Sequence, residues 1–467
     1  MNLCRLLTTA AKFELCRIAR PSAFQVWRMA LMALLLAALL PTAHAQVSAS
    51  IKGIVTDASG AAVPGAMVTT KNIETGAIRN SVTDDSGRYL ALALAVGEYE
   101  VRVAKAGFQD AIRSGIRLAV GEEASVDLQL QVGTITSQLT VRSDAPIVSV
   151  STKDIGGLVG EQAIKDLPLN GRSYDLLLPL NPGIVNFTSQ KTGGTGISNS
   201  STANNFSVSG NRPQQNIFLL NGVEYTGAAE NNMQPGGASG ELLGVEAVRE
   251  FNVQRDNYGA EFGKRPGGQV IIVTQSGSNQ WHGSVFEFLR NNALDAKNFF
   301  DQNSAPPFQR NQFGAATGGP IKNDKTFFFA NYEGLRQNLH QTSAAFVPDL
   351  QSRADAAPSV RPLLNLWITP SASDQDFSTP KNPDGIAEVF SSPLQTIRED
   401  FGTVRIDHNF SARDSLAGIY TVDDGGDVTA TPANPYSTDI LNLRAQVFSL
   451  EETHVFSPTL LNLARIG

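Results

Sequence analysis

Tyr99, Val101 and Val103 alternate with Glu100, Arg102 and Ala104, a period of two that predicts a half-buried β-strand. Similar short runs predict strands at Ile51–Thr56, Ala66–Lys71, Ile78–Thr83, Arg88–Leu92 and Ala124–Val132. The clusters DASG (57–60), ETG (74–76), DDSG (84–87) and AVG (95–97) supply turns between them. Short strands at that spacing indicate a β-sandwich over residues 46–131.

The pattern changes over residues 132–279, where Gly, Asn and Ser become dense, above all in 188–205. Ile217–Leu220 and Val270–Val273 are fully apolar runs and predict short buried strands. Val245–Glu250 is expected as a short helical approach to a strand at Phe251–Arg255. This stretch is expected to be an α+β domain.

From residue 281 the alternation returns in longer runs. Strands are expected at Trp281–Leu289, Gln309–Thr317, Thr326–Arg336, Asp400–Phe410, Ser415–Thr421, Leu443–Val455 and from Thr459 onward. Most match the 9–11 residues of a tilted membrane strand. Val404, Ile406 and Phe410 alternate with Thr403, Arg405, Asp407 and Asn409, which suits an apolar-out, polar-in barrel wall. The connections run long (290–308), short (318–325), long (337–399), short (411–414), long (422–442) and short (456–458). Outer-membrane barrels alternate in this way, with short periplasmic turns and longer extracellular loops. A soluble β-rich protein has no reason to do so.

The N-terminus adds a compartment. Arg5, Lys12, Arg17, Arg20 and Arg28 precede the apolar run Met29–Leu40, followed by Ala43-His44-Ala45. This reads as a secretory signal over 1–45, cleaved between Ala45 and Gln46; twelve apolar residues are too few to span a bilayer. Cleavage removes both cysteines, Cys4 and Cys16, together with five cations and Glu14. The formal charge thereby moves from −7 to −11. An exported chain without cysteine is neither a disulfide scaffold nor a thiol enzyme. The chain is 17% charged with a mean hydropathy of −0.11, and no basic block follows residue 30, which argues against nucleic-acid binding.

Two resemblances sharpen this reading. Residues 53–108, with the Gly53 start, the Pro64-Gly65-Ala66 turn, the Thr83–Tyr89 segment and the closing Gly107-Phe108, resemble the carboxypeptidase-regulatory-like domain. That resemblance implies a transthyretin-like, non-catalytic sandwich. Leu220-Asn221-Gly222, Val245-Glu246, Tyr258-Gly259, Gly267-Gly268 and Val270–Thr274 resemble the plug of TonB-dependent outer-membrane receptors, in their Oar-like branch. The hairpin 310–336 resembles the same family. The implied architecture is mainly β: a transthyretin/Ig-like sandwich (46–131), an α+β plug (132–279), and the first part of an outer-membrane β-barrel (280–467), about seven strands. Plugged receptors have 22 strands, which at about ten residues each need about 220 residues before any loop. The chain is therefore expected to be a fragment or truncated.

No catalytic signature is present: there is no G-x-S-x-G, Walker loop or H-E-x-x-H. The five histidines are scattered, so neither metal nor cofactor is expected. DDGGD (423–427) lacks the distal Glu of a calcium loop and is expected in a solvated extracellular loop. The resemblance implies gating: substrate binds loops and plug, and a TonB-type inner-membrane energiser pulls on an extended segment by β-augmentation. The extended candidate is 134–144, with Thr136, Leu139 and Val141 as contacts, or an ordinary linker strand. The other partners are outer-membrane lipid and a small substrate (carbohydrate, peptide or chelate). A surface-adhesion or secretion-associated scaffold without transport is the alternative function.

Overall fold

The computed structural model describes residues 48–133, 139–142, 155–186, 205–226, 235–256, 258–259, 262–297, 299, 301, 304–371, 374–376, 384–457 and 460–467. The leader with Ala45 and Gln46 lies outside them, as does Thr136.

The N-terminal part is a two-sheet sandwich. Its strands are β1 (Ala49–Asp57), β2 (Met67–Asn72), β3 (Ile78–Val82), β4 (Arg88–Leu94), β5 (Gly97–Ala104), β6 (Ala111–Leu118), β7 (Glu123–Ser125), β8 (Leu128–Leu130) and β9 (Leu139–Arg142). One sheet runs β4-β1-β7, with β8 also on β1; the other runs β3-β2-β5-β6-β9. Ile51, Val55, Val68, Val101, Val103, Ile116 and Leu130 are buried between them, each worth about 1.5–3 kcal/mol of transfer free energy. The alternation around Val101 thus faces a real core.

Two elements differ from expectation. β6 escaped the sequence pattern because the β5–β6 register shifts between Tyr99 and Val101; the irregularity breaks the period of two. The single strand expected at Ala124–Val132 is split in two. β1 pairs β7 through Lys52 and β8 from Val55, and between them Tyr89 Oη donates to the Val126 carbonyl at 2.6 Å. Leu139–Arg142, within the expected extended segment 134–144, lies parallel to β6, from Ala111↔Leu139 to Ser114↔Arg142.

The middle part contains β10 (Ile155–Gly160), α1 (Glu161–Asp166), β11 (Ile184–Asn186), β12 (Phe206–Val208), β13 (Ile217–Leu220), β14 (Val223–Glu224), β15 (Val248–Asp256) and β16 (Gln269–Thr274). Its main sheet is ordered β10-β15-β16-β13-β14. Phe218, Leu220, Phe251 and Ile272 pack on one face with Ile164 and Leu178. Ile217, Leu219, Ile271 and Val273 pack on the other with Val120 of the sandwich. Burial on both faces explains why IFLL and VIIV are continuous apolar runs rather than alternating ones. The helical approach expected at Val245–Glu250 is instead a turn. Ala247 N–H donates to the Gly244 carbonyl at 2.8 Å, and β15 already begins at Val248.

The C-terminal part is one antiparallel sheet in sequential order. It comprises β17 (His282–Asn291), β18 (Phe308–Lys322), β19 (Thr326–His340), β23 (Leu394–Asn409), β24 (Asp414–Ala430), β25 (Thr438–Ser457) and β26 (Leu460–Ile466). The 341–393 connection folds a small sheet of its own from β20 (Ser343–Pro348), β21 (Gln375–Asp376) and β22 (Ile386–Ser391). The seven strands stand where alternation placed them, but several are longer, β25 reaching 20 residues. Long and short connections still alternate, at 292–307, 323–325, 341–393, 410–413, 431–437 and 458–459. The 422–442 loop shrinks because both flanking strands run on. DDGGD is therefore not a solvated loop: it lies inside β24, with Asp423 4% exposed. Val404 is 50% exposed while its neighbour Thr403 is 1% exposed, so the apolar face points outward and the polar face inward.

Candidate functional site

The inner face of the β17–β26 sheet carries buried acids where it meets the middle domain. Glu333 on β19, Glu399 on β23 and Asp423 on β24 are each at most 4% exposed. Segment 235–247 of the middle domain lies against them. Ser239 N–H donates to Glu399 Oε2 at 2.6 Å and Gly244 N–H to Glu333 Oε2 at 3.0 Å. Gln312 Nε2 bridges Glu333 Oε1 at 2.8 Å and the Gly171 carbonyl at 3.1 Å. A small apolar cluster of Leu243, Ala247, Leu335, Ile397 and Phe401 seals the contact.

Arg172 links the two bodies. Its Nη2 donates to Glu246 Oε1 at 3.1 Å, its Nε lies 3.5 Å from Glu333 Oε1, and its guanidinium sits 4.1 Å from the Phe286 ring centre. Such a stacked, paired guanidinium cannot be replaced by an ammonium without loss. Glu246, singled out from sequence, accepts from Ser284 Oγ of β17 at 2.8 Å. Burial opposes its ionisation, but the Ser284 bond, Lys165 and Arg172 outweigh that and hold the carboxyl below its usual range.

The other sequence-derived positions shape the middle domain itself. Asn221 and Gly222 have φ of 49° and 78°, the conformation of a two-residue hairpin, and close β13–β14. Asn221 Oδ1 accepts from Thr274 N–H at 3.0 Å. Tyr258 Oη donates to the Gly267 carbonyl at 3.1 Å, and the Gly259 carbonyl accepts from Phe262 N–H. A Cβ at Gly267 would lie 2.6 Å from the Gln215 backbone, so the chains approach there only because the residue is glycine. Gly268 N–H donates to Asn216 Oδ1 at 2.9 Å. Of this set, Glu246 touches the barrel wall.

The sandwich is fastened to the same assembly. Arg249 makes two hydrogen bonds to Glu74, at 2.7 and 2.9 Å. Glu250 Oε1 accepts from Val120 N–H at 2.5 Å, although burial raises that carboxyl above its ordinary value. Arg79 Nη1 donates to the Ala412 carbonyl in the short 410–413 turn. Nearby, Asp414, Glu452 and His454 bring one ligand atom each within 4.8 Å of one another, but all are partly exposed and His454 already bonds Asp414.

At the opposite mouth, beside the long 292–307 connection, lies a cavity of about 560 Å³. Asn170 and Glu241 of the middle domain face Arg290, Arg310 and Gln395 of the wall across it. Burial, together with Asp175 and Glu399 and against the pull of Arg310, pushes the Glu241 carboxyl up to about 7. Arg172, Glu241, Glu333 and Arg310 were not singled out from sequence. The alternation that turns Val404 outward would have turned Glu333 and Glu399 inward.

Residues 50–131 match the family described as Carboxypeptidase regulatory-like domain, and residues 273–467 match Outer membrane beta barrel domain. The chain is 28% identical over 268 residues to the TonB-dependent transporter Oar of Myxococcus xanthus, an alignment covering 54% of this chain and 23% of that protein. It thus spans about a quarter of the length of this curated relative. Among solved structures it is similar to the outer membrane transporter YddB of Escherichia coli (TM-score 0.43, 13% identity, 65% of this chain and 37% of that one). It is also similar to the ferric enterobactin receptor PfeA of Pseudomonas aeruginosa in complex with enterobactin (TM-score 0.42, 14% identity, 67% and 40%). The curated relative is a TonB-dependent transporter, not an enzyme. This chain is similar to the Oar TonB-dependent transporter, and it carries a carboxypeptidase regulatory-like domain and an outer-membrane β-barrel domain.

Proposed function

We propose that the protein binds a small substrate at its extracellular mouth and imports it by energised movement of residues 132–279, which act as a plug. The observation that carries this reading is the nature of the plug–wall contact. It is dominated by polar bonds such as Ser239 to Glu399, Gly244 to Glu333, and Ser284 to Glu246. Polar contacts exchange for water at a net cost of only about 0.5–1.5 kcal/mol each, whereas a wide apolar interface would hold the plug shut. The cavity between Glu241 and Arg310 is the substrate site in this reading. The signal ends at Ala45, the sandwich and plug face the periplasm, and a TonB-type partner adds a strand along Thr136, Leu139 and Val141.

The test is uptake in cells with and without the energiser. Expression in cells should give substrate accumulation that disappears when the TonB-type partner is deleted. Binding that persists with no energiser-dependent accumulation would replace transport by surface adhesion.

A further inference from the structure

The cavity at the extracellular mouth has an internal mismatch that points to its ligand. Arg310 Nη2 is buried and has no hydrogen-bond partner, and buried polar groups are nearly always paired. Glu241 Oε1 and Arg310 Nη2 each lie 2.7 Å from the place a Cβ would occupy at Gly171. Yet among the described residues neither forms an ion pair within 4.0 Å. The two opposite charges therefore crowd against Gly171 without pairing with each other, and both line the cavity.

The rest of the lining narrows the class. Arg290 is taken up by Asp295, 3.4 Å away, and by the Phe308 ring, 4.8 Å away. Asp301 accepts from Thr342 Oγ1 at 2.6 Å. Glu241, Asp295 and Asp301 outnumber Arg290 and Arg310, which disfavours a polyanionic chelate. Phe308, the aromatic residue of the lining, is covered by Arg290, so no open ring is offered to a sugar face. Asn170, Asn292, Gln337 and Gln395 supply amides that both donate and accept, as peptide groups require.

We infer that this cavity takes the zwitterionic head of an α-amino-acid-bearing ligand, its carboxylate on Arg310 and its ammonium on Glu241, with a peptide-like body against the amides. Ammonium and carboxylate on one carbon fit a guanidinium and a carboxylate that nearly touch. A volume of about 560 Å³ exceeds a single amino acid and falls in the range of ordinary ligand pockets. The inference rests on the reading of this cavity as the substrate site.

The probe is γ-glutamylglutamine, which keeps both charges on one carbon. Its N-acetyl derivative and the α-linked isomer Glu-Gln each break that head. Calorimetry on the full chain in detergent should show binding at least ten-fold weaker for both. Arg310→Gln and Glu241→Gln should each cost at least ten-fold, and Arg310→Lys less. Heat-modifiability and sheet content are checked for each variant; if Arg310→Gln does not fold, Glu241→Gln alone decides. Equal binding of the three dipeptides, or preference for maltotriose or a ferric chelate, would overturn the inference. Discriminating binding without energiser-dependent uptake would sustain the head-group assignment while removing the transport reading. Energiser-dependent uptake of a chelate, with no discrimination among the dipeptides, would do the reverse.

Discussion

Arg172 and Glu333 approach to 3.5 Å across the boundary between the middle domain and the barrel wall, and Glu246 shares the same guanidinium at 3.1 Å. Glu333 is fully buried. Removing one partner of a buried charge pair leaves the other uncompensated, at about 3–5 kcal/mol. Arg172→Ala should therefore loosen segment 235–247, seen as faster hydrogen exchange at Ser239 and Gly244. Arg172→Lys should recover part of the protection, having lost the Phe286 stack. Unchanged exchange in Arg172→Ala would show that the plug is held elsewhere.

Glu241 gives a pH signature. Its carboxyl is raised from 4.5 to about 7, so the folded state favours the protonated form. The stability it contributes is complete below pH about 4.5 and disappears as pH rises through about 7, a change of about 2–3 kcal/mol. Arg310, Asp175, Glu399 and Ser173 are the groups that face it. The unfolding midpoint in detergent should be higher at pH 5 than at pH 8. Glu241→Gln should flatten that difference, and an unaltered slope would assign it to other groups.

The β13–β14 hairpin is a backbone test. Gly222 holds a φ of 78°, which a β-branched residue adopts only under strain of about 1–3 kcal/mol. Gly222→Val should lower the unfolding midpoint, while Gly222→Asn should cost far less, since Asn tolerates the left-handed region. Equal losses would point to crowding rather than to φ.

The contact between the sandwich and the middle domain can be measured as a coupling. Glu74 is 31% and Arg249 16% exposed at the side chain, so solvent screening limits the pair to about 1 kcal/mol. A double-mutant cycle with Glu74→Gln and Arg249→Gln should return a coupling of that order. A coupling near zero would leave the apolar seat of Val120 to hold the sandwich alone.

Strand direction follows from the connections. Tyr436 is 75% exposed in the 431–437 connection, and Ser411 lies in the short 410–413 turn. A cysteine at Tyr436 should react with an impermeant thiol reagent on whole cells. One at Ser411 should react only after the outer membrane is opened. The reverse labelling would invert the barrel.

Sequence alone determined the barrel strands and the buried strands of the middle domain. A period of two and a continuous apolar run are local consequences of which faces are buried, and Val404 or Ile271 carries that information by itself. Asn221-Gly222 was legible for the same reason, because its backbone demand is met by the residues themselves. Glu246 was legible only through resemblance; its contact with Ser284 was not. The β5–β6 bulge, the split of β7 from β8 and the inward course of DDGGD were decided by tertiary structure. Each depends on a partner strand far away in the chain that fixes register. The meeting of Arg172 with Glu333, and of Glu241 with Arg310, is the strongest case. No local pattern records which inward-facing group of the wall will lie opposite which group of the middle domain, because that pairing exists only once the two are packed together.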